Sequence, residues 1–359
     1  MVDTKTDQQQ SQEASTGEKH KTEVEDPEAK RTRIKEETPL NDVNEDNNAT
    51  EGDSGQAEKK EAADSKANVK SENGTAKSDT DAPSSILEKG IIYFFIRGRV
   101  DVDKPEEVND IARTFIILRP IAPDAKLSEG PLPDAGNTRI IVLPKKVLPA
   151  SGRERFMAFV DKSGASYDEI KGQFLAGEDY ETKTKGTRHT PAATPIGEGV
   201  YAITTTGRES HLVYMTTIPE ELGEVQKDLG VKEQGSFIIS TKNPEYPGPA
   251  TARLPKGPEY PKKIHEEFRE LRWIPSKPHH LDYNNAQLLL IGESSGIKKA
   301  LALQEDDEKA HKEEPLEVME DLEEEDLKRM RHLPGDHSAS IYADLKAHAE
   351  DYPKLQTTF

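Results

Sequence analysis

The chain has 359 residues, with 49 Lys and Arg against 68 Asp and Glu, which gives a net charge of −19 at pH 7. It contains no cysteine, which excludes disulfides, thiolate metal sites and cysteine nucleophiles. The acidic balance argues against general attraction to nucleic acid or anionic membranes, although it does not exclude a local basic patch. No run approaches 18 apolar residues and the first ten residues are polar, so we expect neither a membrane span nor a signal peptide.

The first part of the chain, residues 1–84, has no Phe, Trp or Tyr and holds 12 basic and 21 acidic side chains. Such a segment cannot bury enough apolar surface to offset an ordering entropy of about 1–2 kcal/mol per residue, so we expect a disordered acidic tail. Its one basic cluster consists of Lys30, Arg31, Arg33 and Lys35. This cluster is a candidate nuclear-import signal read by an importin, and the alternative is a chance run among many lysines.

Residues 85–303 carry 30 basic and 30 acidic side chains, and their apolar runs predict one globular domain. In its first half, apolar runs bounded by Gly or Pro predict strands at 91–96, 115–118 and 139–143. A segment rich in Pro, Asp and Gly predicts a loop over 121–137. Helical spacing predicts helices at 105–112, 153–161 and 166–174, the last with Ser166 and Glu169 as a capping box.

The clearest signal is a hairpin over residues 200–218. Runs rich in β-branched and aromatic residues, Val200–Thr205 and Ser210–Ile218, flank a four-residue connection that contains Gly207. Both faces of the hairpin are largely apolar, which predicts a central position covered on both sides. Counting outward from the connection predicts the pairs Tyr201–Tyr214, Ile203–Leu212, Ala202–Val213, Val200–Met215 and Thr204–His211.

The second half of the domain is interrupted by prolines. Six prolines fall between residues 244 and 261, where Pro-Glu-Tyr-Pro occurs twice. We interpret this segment as an ordered surface loop, the alternative being a docking site for a proline-reading domain. Trp273 is expected to anchor the core. Further elements are predicted as helices at 219–229 and 262–271 and strands at 236–240 and 287–291.

The predicted fold class is therefore α+β. We expect a mainly antiparallel sheet of about six to eight strands with a central hairpin at 200–218, flanking helices, long proline-rich loops and disordered acidic tails.

The last part, residues 304–359, holds 7 basic and 17 acidic side chains and is expected to be an acidic, partly helical tail. Apolar residues at helical spacing predict a helix from Pro315 to His332, and a second one from Ala339 to Glu350. The apolar stripe of the first helix either folds onto the domain or enters the groove of a protein partner. We favour a helix that stays solvated and associates only weakly.

One group of side chains could do chemistry. Lys183, Lys185, Arg188, His189, Arg208 and His211 lie close in sequence and could form a phosphate-sized basic site with two imidazoles. The alternative is a solvated basic edge strand, with His211 bonded to Thr204. Neither a metal site at His189, His211 and Glu209 nor one at His279 and His280 has a supporting spacing. Phosphate-binding glycine loops and the G-x-S-x-G elbow do not occur.

Several long phrases resemble one family of fungal proteins that carry the label "BTB domain transcription factor". The phrases are RGRVDVDKPEEVNDIARTFIILRP, LPKKVLPASGRERFMAFVDK, DYETKTKGTRHTPAATPIGEGVYAITTTGRESHLVYM, GSFIISTKNPEYPGPA and the terminal DYPKLQTTF. The resemblance implies a link to transcription and assigns no site residues. A BTB domain is rich in helices, whereas this core is predicted to be rich in strands, so the residues do not support the label's fold.

Two functional hypotheses follow. The leading one is a non-enzymatic binding or adaptor protein of the nucleus or cytosol, with no catalytic residue, metal or cofactor. Its partner contacts would use the helix at 315–332. The alternative is a small-molecule or phosphate-binding domain, which could be an enzyme, that uses the six residues between Lys183 and His211. Direct DNA binding by the core is the least favoured interpretation, because no DNA-binding motif is present.

Overall fold

The structure is a computed structural model, and it describes residues 83–331 except Lys104, 128–131, Lys185 and 249–253. The predicted N-terminal tail, its import signal at Lys30–Lys35 and the helix predicted at Ala339–Glu350 therefore lie outside the described residues. No helix in the described part of the chain is both long and apolar enough to cross a membrane.

The described residues form mostly antiparallel sheet. Nine strands form the main sheet and two form a separate hairpin, compared with the six to eight predicted. The strands are β1 (Ile86–Gly98), β2 (Ile111–Ile121), β3 (Thr138–Leu143), β4 (Arg155–Ala165), β5 (Glu178–Thr182), β6 (Gly186–Thr190), β7 (Ala193–Thr205), β8 (Ser210–Ile218), β9 (Gln234–Lys242), β10 (Trp273–Pro275) and β11 (Gln287–Gly292). The helices are α1 (Tyr167–Glu169), which continues as a π-helix over Ile170–Leu175, α2 (Glu224–Asp228), α3 (Lys262–Glu267), α4 (Glu305–Lys309) and α5 (Pro315–Arg331), with 3-10 turns at Val108–Asp110 and Pro278–Asp282.

The main sheet closes on itself. Its order is β10-β9-β11-β4-β3-β2-β1-β7-β8, and β9 also pairs with β8. Eight strands therefore form a ring in which each has a neighbour on both sides, and β10 continues along β9 beyond the end of β8. Closure removes the free strand edges that would otherwise pair with other chains.

The predicted hairpin is confirmed. β7 and β8 pair Tyr201 with Tyr214 and continue in the register that the alternation predicted, through Thr204 opposite His211. The connection contains Gly207 at φ +80°, a conformation that glycine adopts without steric cost. Glu198 lies inside β7, ahead of the predicted hairpin strand, and is fully buried.

Both faces of the hairpin are buried, as its two apolar faces predicted. The inner cluster takes alternate residues from all eight strands, including Phe94, Tyr201 and Tyr214. The outer cluster covers the remaining face of β1, β2, β3, β7 and β8, and includes Tyr93 and Phe95. The π-helix, residues 297–301 and α5 pack over this outer face.

Two predicted helices are wrong. Residues 155–161 of the helix predicted at 153–161 lie in β4, between β3 and β11, and Ala158 and Val160 alternate into the inner cluster. The prediction failed because the spacing of Phe156 and Phe159 also fits a helix. The helix predicted at 105–112 is reduced to a 3-10 turn, because Ile111 is fully buried and begins β2. The Ser166 capping box is confirmed, although only α1 is α-helical and the rest of the predicted span is the π-helix.

The helix predicted at 315–332 forms, but it packs on the domain and is not solvated. Met319 and Leu322 enter the outer cluster. Beside them Arg329 is fully buried, with its Nη2 3.0 Å from Glu198 Oε1 and 2.6 Å from Asp326 Oδ1. The Thr217 hydroxyl donates to the other Asp326 oxygen at 2.7 Å. A buried charge network therefore joins α5 to β7 and β8.

Replacing Arg329 by Ala should destabilise the fold by about 3–5 kcal/mol, because it leaves the buried carboxylates of Glu198 and Asp326 without their cation. Urea unfolding measures the change in the free energy of unfolding. The matched control is Lys328→Ala, which removes an exposed cation from the same helix and should change little. Equal stability of the two variants would contradict this role of the network.

Candidate functional site

The structure describes five of the six predicted site residues and separates them into two groups. β1 pairs with β7 from Arg97 opposite Ala193 to Ile86 opposite Thr204. The β5–β6 hairpin, with Arg188 and His189, precedes the first of these pairs in β7, and the β7–β8 connection follows the last. At about 3.3 Å per residue, the two groups lie at opposite ends of β1, roughly 35 Å apart. The described residues therefore do not form the single basic site that the sequence predicted.

At the end of β1 next to the β5–β6 hairpin, acidic side chains already pair with the basic ones. Arg188 Nε lies 2.6 Å from Asp101 Oδ2, and His189 lies between Asp179 (Nδ1 to Oδ1, 2.5 Å) and Asp103 (Nε2 to Oδ1, 3.2 Å). The hydrogen bond with Asp179 raises the pKa of His189 above its usual value. Lys183 lies in the hairpin turn and not in a strand, and Lys185 lies outside the described residues.

At the other end, Arg208 is exposed and His211 is fully buried. The partner of His211 is Glu293, at 2.8 Å from Nδ1, and not Thr204 as the alternative interpretation expected. The Ser236 hydroxyl donates to the same carboxylate oxygen. Because Ser236 is bonded to the carboxylate and not to the imidazole, His211 does not activate it as a nucleophile. The group ties β8 and β9 to the segment after β11.

A polar network that the sequence did not predict closes this end of the ring. Arg139 is buried, with Nη1 2.6 Å from Glu88 Oε1 and Nη2 2.6 Å from Asp282 Oδ1. The Tyr201 hydroxyl donates to the same Glu88 oxygen at 2.7 Å. Glu88 and Arg139 lie near the starts of β1 and β3, and the later residues of both strands are mostly apolar. The alternation of side chains therefore did not predict that these two charged residues face inward and contact each other.

A second cluster lies beside this network, around Glu267 at the end of α3. Lys277 Nζ lies 2.7 Å and His279 Nε2 2.9 Å from its carboxylate oxygens, and His280 Nε2 lies 3.4 Å away. Burial opposes ionisation of Glu267, but hydrogen bonds from Lys277 and His279 hold its pKa at about 2. Burial, and then the charge of His279, lower the pKa of His280 to about 4.

The carboxylate of Glu267 and the imidazoles of His279 and His280 place ligand atoms within 4.8 Å of one another, and such donors suit zinc. The hydrogen bonds argue for a different role. The backbone N–H of Lys277 donates to His280 Nδ1 at 3.1 Å, so the proton of the neutral ring is on Nε2, which points at Glu267. Since Lys277 also binds that carboxylate, the residues fit an ion-pair cluster better than a metal site.

Above both clusters runs a groove of about 810 Å³, which we call the mouth groove. Its rim exposes Leu271 and Leu87, with exposed fractions of 55% and 38%; they are two of the three large apolar residues that are exposed in the described part of the chain. Arg269 also lines it, is exposed, and forms no ion pair with the residues that the structure describes. Ile274, Pro275 and Pro278 complete the apolar lining.

Replacing His280 by Asn should flatten the pH dependence of stability between pH 6.5 and 4. Folded His280 stays neutral down to about pH 4, whereas the unfolded chain binds a proton below about pH 6.5. Wild-type stability therefore falls as the pH decreases through this window, by up to about 3 kcal/mol. Urea unfolding at several pH values measures the slope.

His311→Asn, a change of an exposed histidine, is the control and should retain the wild-type slope. The assignment would be refuted by a His280→Asn variant as steep as the wild type. The new amide oxygen can still accept the Lys277 N–H, so loss of that hydrogen bond would not explain the result.

Comparison of the chain with protein-family models, with curated proteins and with solved structures found no match. The function must therefore be argued from the residues of the site.

Proposed function

We propose that this chain is a non-enzymatic binding or adaptor protein that holds a segment of a partner protein in the mouth groove. The observation that carries the proposal is the pairing of two exposed leucines and an exposed arginine, Leu87, Leu271 and Arg269, along one groove. Exposed apolar side chains gathered at one place are typical of interaction sites, and grooves at the open ends of closed sheets commonly bind ligands.

The charges beneath the groove favour binding over catalysis. A general acid or base needs a pKa near the working pH, but Glu267 has a pKa of about 2 and His280 of about 4. Each is therefore held in one protonation state at neutral pH. Arg139 is bound by two carboxylates and buried, so it is not available to a substrate. The clusters instead form a rigid base for the groove.

The lining also indicates the chemistry of the partner. Apolar side chains would cover Leu87, Leu271 and Ile274, and a carboxylate would reach Arg269. Lys277 lies on the same rim, but its charge is already bound to Glu267. We therefore infer a partner segment with apolar residues next to Asp or Glu. A carboxylate bound to Arg269 through two parallel hydrogen bonds would fix its orientation.

Leu271→Asp and Arg269→Glu should each abolish capture of such a partner, because the first charges the apolar rim and the second repels a carboxylate. The tagged full-length protein is cross-linked in nuclear extract, and the cross-linked peptides are identified by mass spectrometry. Arg153→Glu is the control, since Arg153 is exposed and this change matches Arg269→Glu in charge, but it lies outside the groove. The proposal requires cross-links at the groove; partners captured equally by all four proteins would contradict it.

Nuclear location is the second part of the proposal, and the basic cluster in the N-terminal segment supports it. Replacing Lys30, Arg31, Arg33 and Lys35 by Ala should shift a fluorescent fusion from nucleus to cytoplasm, because importins read such strings by their charge. Replacing Lys59, Lys60, Lys66 and Lys70 removes the same charge from the same segment and should leave the fusion nuclear. An even distribution of the wild-type fusion would contradict import.

The resemblance to fungal proteins labelled as transcription factors supports a partner in transcription. Contacts through α5 are an alternative to the groove. Since Met319 and Leu322 are buried on the sheet, a partner of α5 would contact its acidic outer face.

A further inference from the structure

A second cavity, of about 440 Å³, lies on the outer surface of the ring at the end of β1 remote from the mouth groove. Its walls come from β1, β2, the π-helix after α1 and the β5–β6 hairpin. We call it the arginine cavity. The residues that matter for the argument are Arg97, Arg113, Phe115, Phe174 and Tyr180.

Two like charges meet in this cavity. Arg97 and Arg113 are directly opposite each other in the β1–β2 ladder, an arrangement that destabilises a sheet unless something offsets the repulsion. The ladder shifts register immediately after this pair, between Arg97 and Gly98. Bulges of this kind re-aim side chains and are frequent beside functional sites. Burial, and then the charge of Arg113, lower the pKa of Arg97.

Arg97 is held in place, but not all of its donors are used. Its Nη2 donates to the carbonyl of Phe174 in the π-helix, and its guanidinium lies 5.7 Å and 5.6 Å from the ring centroids of Phe115 and Phe174. Its Nε is buried with no hydrogen-bond partner among the residues that the structure describes. A fixed guanidinium with a spare donor is suited to bind an oxyanion.

One of the two carboxylates in the cavity lining is already paired. Glu169 is bound by Lys162, with Nζ 2.7 Å from Oε1, and by the Ser166 cap. Asp161 in the lining and Glu178 in β5 both act on Arg97 and raise its pKa against the effects of burial and of Arg113. Neither of these two carboxylates forms an ion pair with Arg97 among the residues that the structure describes. On its hairpin side Tyr180 exposes 39% of its surface, which gives a flat aromatic wall.

We propose that the arginine cavity binds a small organic anion in which a phosphate or carboxylate group is attached to a planar ring. The oxyanion lies between Arg97 and Arg113 and offsets their repulsion, while the ring contacts Tyr180. The volume is within the range of small-ligand sites and matches a ligand of about the size of a mononucleotide. This site is independent of the mouth groove.

Isothermal titration calorimetry with AMP, benzoate, adenosine and inorganic phosphate tests the proposal on the full chain. AMP or benzoate should bind. Binding of AMP would identify the anionic group as a phosphate, and binding of benzoate would identify it as a carboxylate. Adenosine lacks the anion and inorganic phosphate lacks the ring, so each should bind at least about tenfold more weakly. Absence of binding by both AMP and benzoate at millimolar concentration would overturn the proposal.

Arg113→Gln should weaken binding by at least about tenfold, because it removes one of the two charges that hold the oxyanion. Arg113 is exposed, so the variant should fold, which a thermal melt checks. Arg208→Gln removes an exposed arginine at the other end of β1 and should bind like the wild type. If both variants lost affinity equally, binding would reflect general charge and the site would be refuted.

Discussion

The pairing of β8 with β9 is the constraint on which the rest of the structure depends, because it turns an open sheet into a ring. The two strands pair from Ser210 opposite Ile239 to Met215 opposite Gln234. Gly235 makes this approach feasible: a Cβ there would lie 2.4 Å from the ring of Tyr214. Tyr214 in turn stacks on Phe237 inside the ring. Without this seam the inner cluster would be open to water and the polar network at the mouth would have no enclosure.

The ring also explains how charge is distributed. Its buried ion pairs lie at its ends and under α5. Arg139 at the mouth, Glu267 beside it and Arg329 beneath α5 are all held by two or more groups. Arg97 and Arg113 depart from this pattern, because two cations lie directly opposite each other in a ladder. A pair of like charges therefore indicates a bound ligand more strongly than the ion-pair clusters, in which the charges already balance.

The sequence predicted a feature well where the interacting residues lie close together along the chain, and poorly where they lie far apart. The hairpin at 200–218 was predicted to the residue because its turn and its alternation are local. β4 was not, because Phe156, Phe159 and Val160 satisfy both the helical and the strand period, and only pairing with β3 and β11 decides between them. The site was missed for the same reason. Glu88, Arg139 and Asp282 come from three distant segments, and no local pattern signals that they meet.

The position of β1 in the ring has a consequence for biosynthesis. Its apolar run Ile91–Ile96 leaves the ribosome about a hundred residues before one of its two neighbours, β7. At 5–20 residues per second, the strand waits roughly 5–20 s with that edge unpaired. During this time it is open to pairing with other nascent chains. The ring cannot protect this edge until β7 has been made, because its other neighbour, β2, covers only one side of β1.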